Sequence, residues 1–441
     1  MNIFPTPQAK FQPAAITPPR RIAVVFFLLA LLALSPRSGS AQLLTPAWVE
    51  LGPDGAALLR VIVNAPTDCP AARIDGANVP MTLRQPTPPG FRPACEVAIP
   101  AAAKSVSVNG QALVLPQADP TRIVAFGDTG CRIKDAKPPA KPQVQDCNDP
   151  SAWPFEQIAS QAASEKPQLM IHVGDYLYRE SPCPDDSKNF CANTPDGDNW
   201  ASWDADFFKP AAKLLAAVPW AFSRGNHEDC TRSWRGWFYY LDPRPWSGMC
   251  EKYSPPYLIK LGGFQLAMLD SSPTSELVAD EDQVTDYVGQ LLSLRPQNAW
   301  LVDHHPFWGY SPTAGGLPPV PISAPLEEAW NRANPKGYSL ILSGHIHLFE
   351  FVSVAGAARP DQVVIGDGGT SMSAPISIPL KGAPLRGAVT AGADTEHEFG
   401  YALFTKTGAA WQVVLKNRTG KALVSCNIPG GSIPCQSAAS N

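Results

Sequence analysis

Short, nearly continuous apolar runs recur along the chain from residue 122, and each ends at a glycine or a polar residue. Runs of this length are typical of strands buried on both faces. The predicted strands lie at 123–126, 168–173, 219–223, 299–302 and 339–343. Apolar positions with helical spacing separate some of them, at 154–164, 200–217 and 280–294. This alternation favours parallel strands covered by helices.

Strands dominate the later part of the sequence. Further predicted strands lie at 362–365, 400–404 and 411–415, and a hairpin is predicted from 257–261 and 264–270 around Gly262 and Gly263. The predicted fold class is therefore α/β, with a mixed β-sandwich flanked by helices.

Residues 42–118 carry short strand patterns between proline- and glycine-rich turns and no motif for chemistry. We interpret this region as a small N-terminal all-β domain. The main domain is predicted at 119–425, and a tail closed by a disulfide is predicted at 426–441.

Residues 1–41 have the organisation of a signal peptide. Arg20 and Arg21 precede an apolar segment at 22–34, and small residues at 39–41 provide a cleavage site. The apolar segment is short for a membrane span. We therefore expect an exported protein, periplasmic or secreted, without a membrane segment after cleavage. The general secretory and twin-arginine routes both stay open.

All ten cysteines follow this leader. An even number of cysteines in an exported chain predicts disulfides, and the local spacing predicts that neighbours pair. The predicted pairs are Cys69–Cys95, Cys131–Cys147, Cys183–Cys191, Cys230–Cys250 and Cys426–Cys435.

The formal net charge is −4, and the leader contributes four basic residues and no acidic one. The remaining chain is therefore more acidic, and it has no basic patch of the kind that binds nucleic acid. Nucleic acid is not an expected partner.

Polar residues with metal-binding side chains follow the predicted strands. They are Asp128, Asp175, Tyr178, Asn226, His227, His304, His345 and His347. Because carboxyl ends of parallel strands meet at one edge of a sheet, these side chains are expected to lie together. Of the other histidines, His172 and His397 are interpreted as structural, and His305 as a residue that positions a ligand.

Carboxylates, a phenol, an amide and imidazoles without cysteine suit iron, zinc or manganese and argue against a closed structural zinc site. Two metals held close together need a shared anion. Asp175 is the candidate for that bridge.

The pattern resembles the calcineurin-like metallophosphoesterase superfamily and, within it, the purple acid phosphatases. The motifs that carry the resemblance occur in the family's order at 127–130, 174–178, 225–228, 301–304 and 344–347. They span roughly residues 120–370. The fourth motif departs from the family pattern, with Leu301 in place of valine and two successive histidines, of which His304 is the candidate ligand.

The resemblance implies two metal sites that share Asp175. One would be formed by Asp128, Asp175, Tyr178 and His347. The other would be formed by Asp175, Asn226, His304 and His345. It further implies a ferric ion at Tyr178, with a violet colour, and a divalent iron, zinc or manganese ion beside it.

The resemblance implies an acid phosphatase-like enzyme that hydrolyses small phosphate monoesters with metal-activated water, and the predicted signal peptide makes it an exported one. His227 would contact the phosphate or protonate the leaving oxygen, or else position the adjacent ligand. Residues 306–344 contain no histidine that could replace the paired catalytic histidines of some members. A phosphodiesterase or nucleotidase on the same fold is the alternative, and a catalytically silent metal-binding surface protein is a third hypothesis.

Overall fold

The computed structural model describes residues 42–137, 139–313, 319–356, 359–431 and 434–437. The predicted leader at 1–41 and the last residues of the predicted tail lie outside this part of the chain.

The secondary structure is mixed, with many short strands and few long helices. The strands, in chain order, are β1 (Trp48–Leu51), β2 (Ala57–Ile62), β3 (Ala71–Ile74), β4 (Ala77–Pro80), β5 (Thr82–Leu83), β6 (Ala94–Ile99), β7 (Val106–Val108), β8 (Gln111–Ala112), β9 (Arg122–Phe126), β10 (Ile133–Lys134), β11 (Gln143–Val144), β12 (Leu169–His172), β13 (Trp220–Phe222), β14 (Tyr257–Leu261), β15 (Phe264–Met268), β16 (Ala299–Val302), β17 (Tyr310–Ser311), β18 (Val320–Pro321), β19 (Tyr338–Ser343), β20 (Phe349–Val354), β21 (Asp361–Ile365), β22 (Pro384–Leu385), β23 (Ala388–Glu396), β24 (Gly400–Thr407), β25 (Ala410–Asn417), β26 (Ala422–Ile428) and β27 (Cys435–Ser437). The α-helices are α1 (Phe155–Ser164), α2 (Lys188–Cys191), α3 (Trp200–Trp203), α4 (Lys209–Leu215), α5 (Trp234–Gly236), α6 (Glu281–Leu294) and α7 (Ala324–Ala333).

Two large mixed sheets form the centre of the structure. The first has the order β27-β26-β25-β24-β9-β12-β13-β1-β2-β6-β5, and the second has the order β14-β15-β16-β19-β21-β20-β23-β22. Strands β9, β12 and β13 run parallel in the first sheet, and β15, β16, β19 and β21 run parallel in the second.

Alternate residues of β16 show how the sheets pack. Trp300 belongs to a buried cluster that draws on both sheets, and its ring centroid lies 5.0 Å from that of Phe404 on β24. Leu301, which points to the opposite face, joins a cluster with Leu291 of α6 and Leu326 of α7. The second sheet is therefore buried on both faces, which explains its continuous apolar runs.

The N-terminal region extends the first sheet. β1 runs parallel to β13, and β2, β6 and β5 continue outward from it, while β4, β3, β7 and β8 form a small separate sheet. The buried guanidinium of Arg60 pairs with Glu50 at 2.8 Å and donates to the carbonyls of Tyr240 and Asp242. The division into an N-terminal β domain and a main domain stays a prediction.

The predicted α/β fold class is confirmed, and the strands predicted ahead of the polar motifs are present. The helix predicted at 200–217 is divided into α3, a π-helical turn at Asp204–Phe208 and α4. β20, β23 and α7 were not predicted from the sequence. β23 lacks a run of large apolar residues, because its sequence is Ala-Val-Thr-Ala-Gly-Ala-Asp-Thr-Glu.

The predicted disulfide pairing is confirmed for all five pairs. Each disulfide joins cysteines that are neighbours in the sequence, 8 to 26 residues apart. No helix in the described part of the chain has the length and apolar character needed to cross a bilayer.

Glu350 on β20 supplies a test of the packing. Its carboxyl group is fully buried, and among the described residues it accepts a hydrogen bond only from the backbone N–H of Tyr310. Burial raises the pKa of this carboxyl group from 4.5 to about 8. The folded state therefore binds the Glu350 proton more tightly than the unfolded state does. The contribution of this proton to the free energy of unfolding is fully present below pH 4.5 and is lost as the pH rises to about 8. We expect Glu350→Gln to gain stability relative to the wild type across this range, measured by urea unfolding.

The control is Glu156→Gln, at an exposed position on α1. It is expected to follow the wild type at every pH. Parallel stability curves for Glu350→Gln and the wild type would contradict the assignment.

Candidate metal centre

The polar motifs meet where the carboxyl ends of the parallel strands of both sheets converge. Asp128 follows β9, Asp175 follows β12 and Asn226 follows β13, whereas His304 follows β16 and His345 follows β19. Backbone bonds join the loops, from Asp128 N to Gly174 O at 2.9 Å and from Gly344 N to His304 O at 3.0 Å. The edge thus combines loops from two sheets.

One group of side chains surrounds the hydroxyl of Tyr178. This oxygen lies 2.9 Å from Asp128 Oδ1, 2.7 Å from Asp175 Oδ2 and 3.1 Å from His347 Nε2. His347 Nε2 is also 3.4 Å from Asp128 Oδ1. Two carboxylates, a phenol and an imidazole therefore face one point.

A second group surrounds the side-chain oxygen of Asn226. His304 Nε2 lies 2.9 Å from Asn226 Oδ1, and His345 Nδ1 lies 3.0 Å from the same atom. His304 Nε2 is also 3.3 Å from Asp175 Oδ2. Asp175 Oδ2 is therefore close to both groups, as a bridging ligand requires.

The other oxygen of each carboxylate is fixed by the backbone. Asp175 Oδ1 accepts from the N–H of His227 at 2.8 Å, and Asp128 Oδ2 accepts from the N–H of His345 at 3.0 Å. These bonds leave Asp175 Oδ2 directed at both groups and Asp128 Oδ1 directed at the first.

The imidazoles are oriented through their second nitrogens. His304 Nδ1 lies 2.8 Å from Val173 O, and His347 Nδ1 lies 2.8 Å from Ser371 O. His345 Nε2 lies 3.3 Å from a carboxylate oxygen of Glu276. A proton on each of these nitrogens leaves the facing nitrogen with a free lone pair, which is how metal-binding histidines are usually held.

The charges at the site call for a cation. Burial disfavours the charged form of His304, but Asp175 and Asp128 outweigh burial and raise the pKa of the imidazole to about 10. Burial and the same two carboxylates raise the pKa of Tyr178 well above its ordinary range. A proton is thus retained where a metal ion would compensate the carboxylates. Asp128, Asp175 and His304 offer ligand atoms within 4.8 Å of one another, so they could hold a metal ion.

Three of these residues have a backbone conformation that side chains rarely adopt. Asp128, Asp175 and His345 have φ values of 56°, 61° and 72°. A Cβ on Gly225 would lie 2.1 Å from Asp175 Oδ1, and one on Gly344 would lie 2.3 Å from Asp128 Oδ2. The glycines of these motifs allow the loops to approach the carboxylates.

His227 lies beside both groups. Its ring centroid is 3.8 Å from that of Tyr178, its Nδ1 is 2.8 Å from Glu180 Oε1, and its Nε2 is 3.9 Å from Asp175 Oδ2. It lines a cavity of about 210 Å³ together with Asp175, Asn226, His345 and His347. A molecule bound in this cavity would contact His227.

The remaining histidines lie outside the two groups. His172 is buried under the site, with Nε2 3.1 Å from Thr129 Oγ1 and its ring stacked on Tyr176. His305 packs its ring against His345, with centroids 4.0 Å apart. His397 is exposed, with Nε2 2.7 Å from Ser373 O.

Two buried carboxylates that hold these loops in place were not predicted from the sequence. Glu228 is buried and accepts from the N–H groups of Asp175, Tyr176, Leu177 and Gly225. Asp206, buried in the π-helical turn, accepts from the N–H groups of Tyr178 and Cys131. The position of Glu228 beside Asn226 and His227 was a usable signal, whereas nothing in the pattern at 200–217 distinguished Asp206.

Comparison with known proteins agrees with this geometry. The sequence model of the calcineurin-like phosphoesterase family matches residues 121–349. The chain therefore belongs to that family. Together with the buried group of Asp128, Asp175 and His304, this membership supports a metal-dependent phosphoester hydrolase.

Among solved structures, a purple acid phosphatase, PPD1, from yellow lupin (Lupinus luteus) seeds is similar, with a TM-score of 0.54 and 13% identity over 87% of this chain and 73% of that one. A structure of PhoD has a TM-score of 0.51 and 12% identity over 92% of this chain and 93% of that one. At such identities the likeness concerns the fold. No curated protein matches the chain significantly.

Glu228 provides a test of how the site is held. In Glu228→Gln an amide NH₂ replaces one of the two accepting oxygens, so buried N–H groups lose their acceptor. We expect a loss of about 2 kcal/mol in the free energy of unfolding, measured in urea with the disulfides intact.

The exposed variant Glu156→Gln is again the control and should lie within about 0.5 kcal/mol of the wild type. A Glu228→Gln protein as stable as the wild type would show that the four N–H bonds do not hold the loops.

Proposed function

We propose that the chain is an exported enzyme with two metal ions that hydrolyses small phosphate monoesters, acid phosphatase-like in its chemistry. The observation that carries the proposal is the position of Asp175 Oδ2, 2.7 Å from the hydroxyl of Tyr178 and 3.3 Å from His304 Nε2. One buried carboxylate oxygen thus faces two groups of ligand atoms, which is the arrangement that a dinuclear centre needs.

The donor set fits two different ions. Asp128, Asp175, Tyr178 and His347 would hold the first, and three of these four supply hard anionic oxygens suited to a ferric ion. Asp175, Asn226, His304 and His345 would hold the second, and their neutral imidazoles and amide suit divalent iron, zinc or manganese. Charge on the shared Asp175 would be neutralised from both sides.

When bound, the two cations supply positive charge that polarises a phosphoryl group and lowers the pKa of water. The protein's own contribution is to fix the ligand atoms before the substrate arrives. The backbone N–H groups of His227 and His345 hold the carboxylates, and Val173 O and Ser371 O hold the rings of His304 and His347. Less reorganisation is then needed during the reaction.

His227 is the proposed acid or phosphate contact. Its Nε2 side lies towards Asp175, and its Nδ1 is 2.8 Å from Glu180 Oε1. The negative charge of Glu180 beside Nδ1 favours a proton on that nitrogen. Nε2 remains directed at the cavity, where it can contact the phosphate or exchange a proton with the leaving oxygen.

The five disulfides support export, because such bonds persist in oxidising compartments. A periplasmic or secreted location agrees with the signal peptide predicted at 1–41. The expected partner is a small phosphate ester, and no membrane association is proposed after cleavage of the signal.

The function is tested with two substrates that share one leaving group, 4-nitrophenyl phosphate and methyl 4-nitrophenyl phosphate. We expect the metal-loaded protein to have the higher kcat/KM for the monoester.

Asp175→Ala is expected to lose both metals and nearly all activity, because the shared anion is removed. Asn226→Ala is expected to lower the occupancy of one metal more than that of the other. Metal analysis and steady-state rates give the answer.

Asp286→Ala, an exposed carboxylate on α6, is the control and should keep metals and activity. A higher kcat/KM for the diester would favour the phosphodiesterase alternative. Full metal occupancy in Asp175→Ala would refute the bridging assignment.

Tyr178 gives a second prediction. A cation bound to the phenol oxygen favours its anion, and a ferric tyrosinate is coloured. Tyr178→Phe keeps the ring beside His227 and removes only the oxygen. We therefore expect the variant to fold, to lose the visible band and to retain partial activity, since Asp128, Asp175 and His347 can still hold an ion.

The measurements are visible spectra and metal analysis of both proteins. Tyr253→Phe, with a phenol elsewhere on the chain, is the matched control and should keep the colour. A colourless, iron-free but active wild type would overturn the ferric assignment, and a coloured Tyr178→Phe protein would exclude Tyr178 as the ligand.

A further inference from the structure

Arg132 is a cation at the edge of an acidic site. Its guanidinium carbon lies 4.5 Å from the centroid of the Tyr178 ring, and its side chain lines the same cavity as Asp175, Asn226 and His227. It was not among the site residues predicted from the sequence. Arg132 lies outside the metal-binding motifs and is not one of the proposed metal ligands.

The guanidinium of Arg132 has a neutral side-chain partner. Its Nη1 donates to the neutral amide oxygen of Gln143 at 3.3 Å, and within the described ranges no carboxylate forms an ion pair with it. Other arginines near the site are paired, as Arg224 is with Asp270 at 3.0 Å and Arg179 is with Asp206 at 2.5 Å. Arg132 therefore has charge and hydrogen-bonding capacity available for a molecule in the cavity.

The backbone of Arg132 is held in place. It follows Cys131, which is bonded to Cys147, and it exchanges bonds with Gln145, from Arg132 N to Oε1 at 3.1 Å and from Gln145 N to Arg132 O at 2.8 Å. The next residue, Ile133, donates to Tyr178 O at 3.0 Å. A guanidinium on a fixed backbone loses less freedom when it binds an anion, and its planar donors match phosphate oxygens.

The cavity is asymmetric in charge. Arg132 lies on the side of Tyr178, whereas the carboxylate of Glu276 lies 3.3 Å from His345 Nε2 on the other side. Both residues line the cavity, together with the apolar side chain of Ile322. Negative phosphoryl oxygens in this cavity would be attracted by Arg132 and repelled by Glu276, which would leave the Glu276 side to the uncharged part of a substrate.

We propose that Arg132 binds the non-bridging phosphoryl oxygen that a phosphate monoester has and a diester lacks, and so makes the enzyme selective for monoesters. This inference rests on the proposed phosphoesterase function. In a diester an ester group occupies the place of that oxygen and carries no charge for the guanidinium. Arg132 would then select the substrate by charge and by the number of free oxygens.

The test compares the metal-loaded wild type with Arg132→Gln and Arg132→Lys. The substrates are again 4-nitrophenyl phosphate and methyl 4-nitrophenyl phosphate, and the Kd of inorganic phosphate is measured by calorimetry. A hydrogen bond to a charged group predicts a loss of about 10- to 100-fold in kcat/KM for the monoester and in phosphate affinity for Arg132→Gln. The diester should be little affected, and Arg132→Lys should lie between the two proteins.

Metal content and the visible spectrum are recorded for each variant. Arg73→Gln, at an exposed position on β3, is the control and should resemble the wild type. An equal loss for both esters would overturn the inference. So would a changed visible band with unchanged phosphate affinity, because Arg132 would then act through the Tyr178 ring.

The same measurements separate this inference from the proposed function. A wild type inactive on both esters whose phosphate affinity still depends on Arg132 would refute the hydrolase function and support the role of Arg132 in phosphate binding. An active wild type whose monoester rate is unchanged in Arg132→Gln would refute the role of Arg132 alone. A wild type that neither hydrolyses an ester nor binds phosphate would refute both.

Discussion

Four backbone N–H groups converge on the buried carboxylate of Glu228, and the shape of the candidate centre depends on these bonds. Three of the groups belong to the loop after β12 and the fourth to Gly225, after β13. The carboxylate therefore links two loops through their backbones rather than through side chains. Because the link uses the backbone of Asp175 and not its side chain, the carboxylate of Asp175 stays directed at the candidate centre.

Burying two carboxylates at the candidate centre has an electrostatic cost. Asp128 and Asp175 are buried, and two such carboxylates are costly unless a cation or a proton compensates them. The raised pKa values of His304 and Tyr178 reflect this competition. Ions that replace these protons would release them and stabilise the folded chain, so metal affinity, pH and stability are linked at this edge.

Much of the fold and of the site could be predicted because the signals were local. A strand buried on both faces appears as an apolar run, and the residue after it must lie at the strand end, so Asp128, Asp175 and His304 could be placed from sequence. The polar side chains that face one another come from five loops, and only the resemblance to a known family predicted which of them group together. The residues that fold the loops were harder to find, because Asp206 is buried by tertiary contacts that its helical pattern does not reveal. β20 was missed because Glu350 and Ser353 interrupt its apolar pattern, although both are buried.

The order of the disulfides has a consequence for how the chain matures. Every cysteine is joined to the next one available, so no disulfide encloses another or crosses it. A chain that meets an oxidant progressively from its amino end, and pairs each new thiol with the previous unpaired one, arrives at the native set. Oxidation in this order would give the native pairs, and a mispaired intermediate would form only if a cysteine stayed unpaired until after its neighbour had reacted.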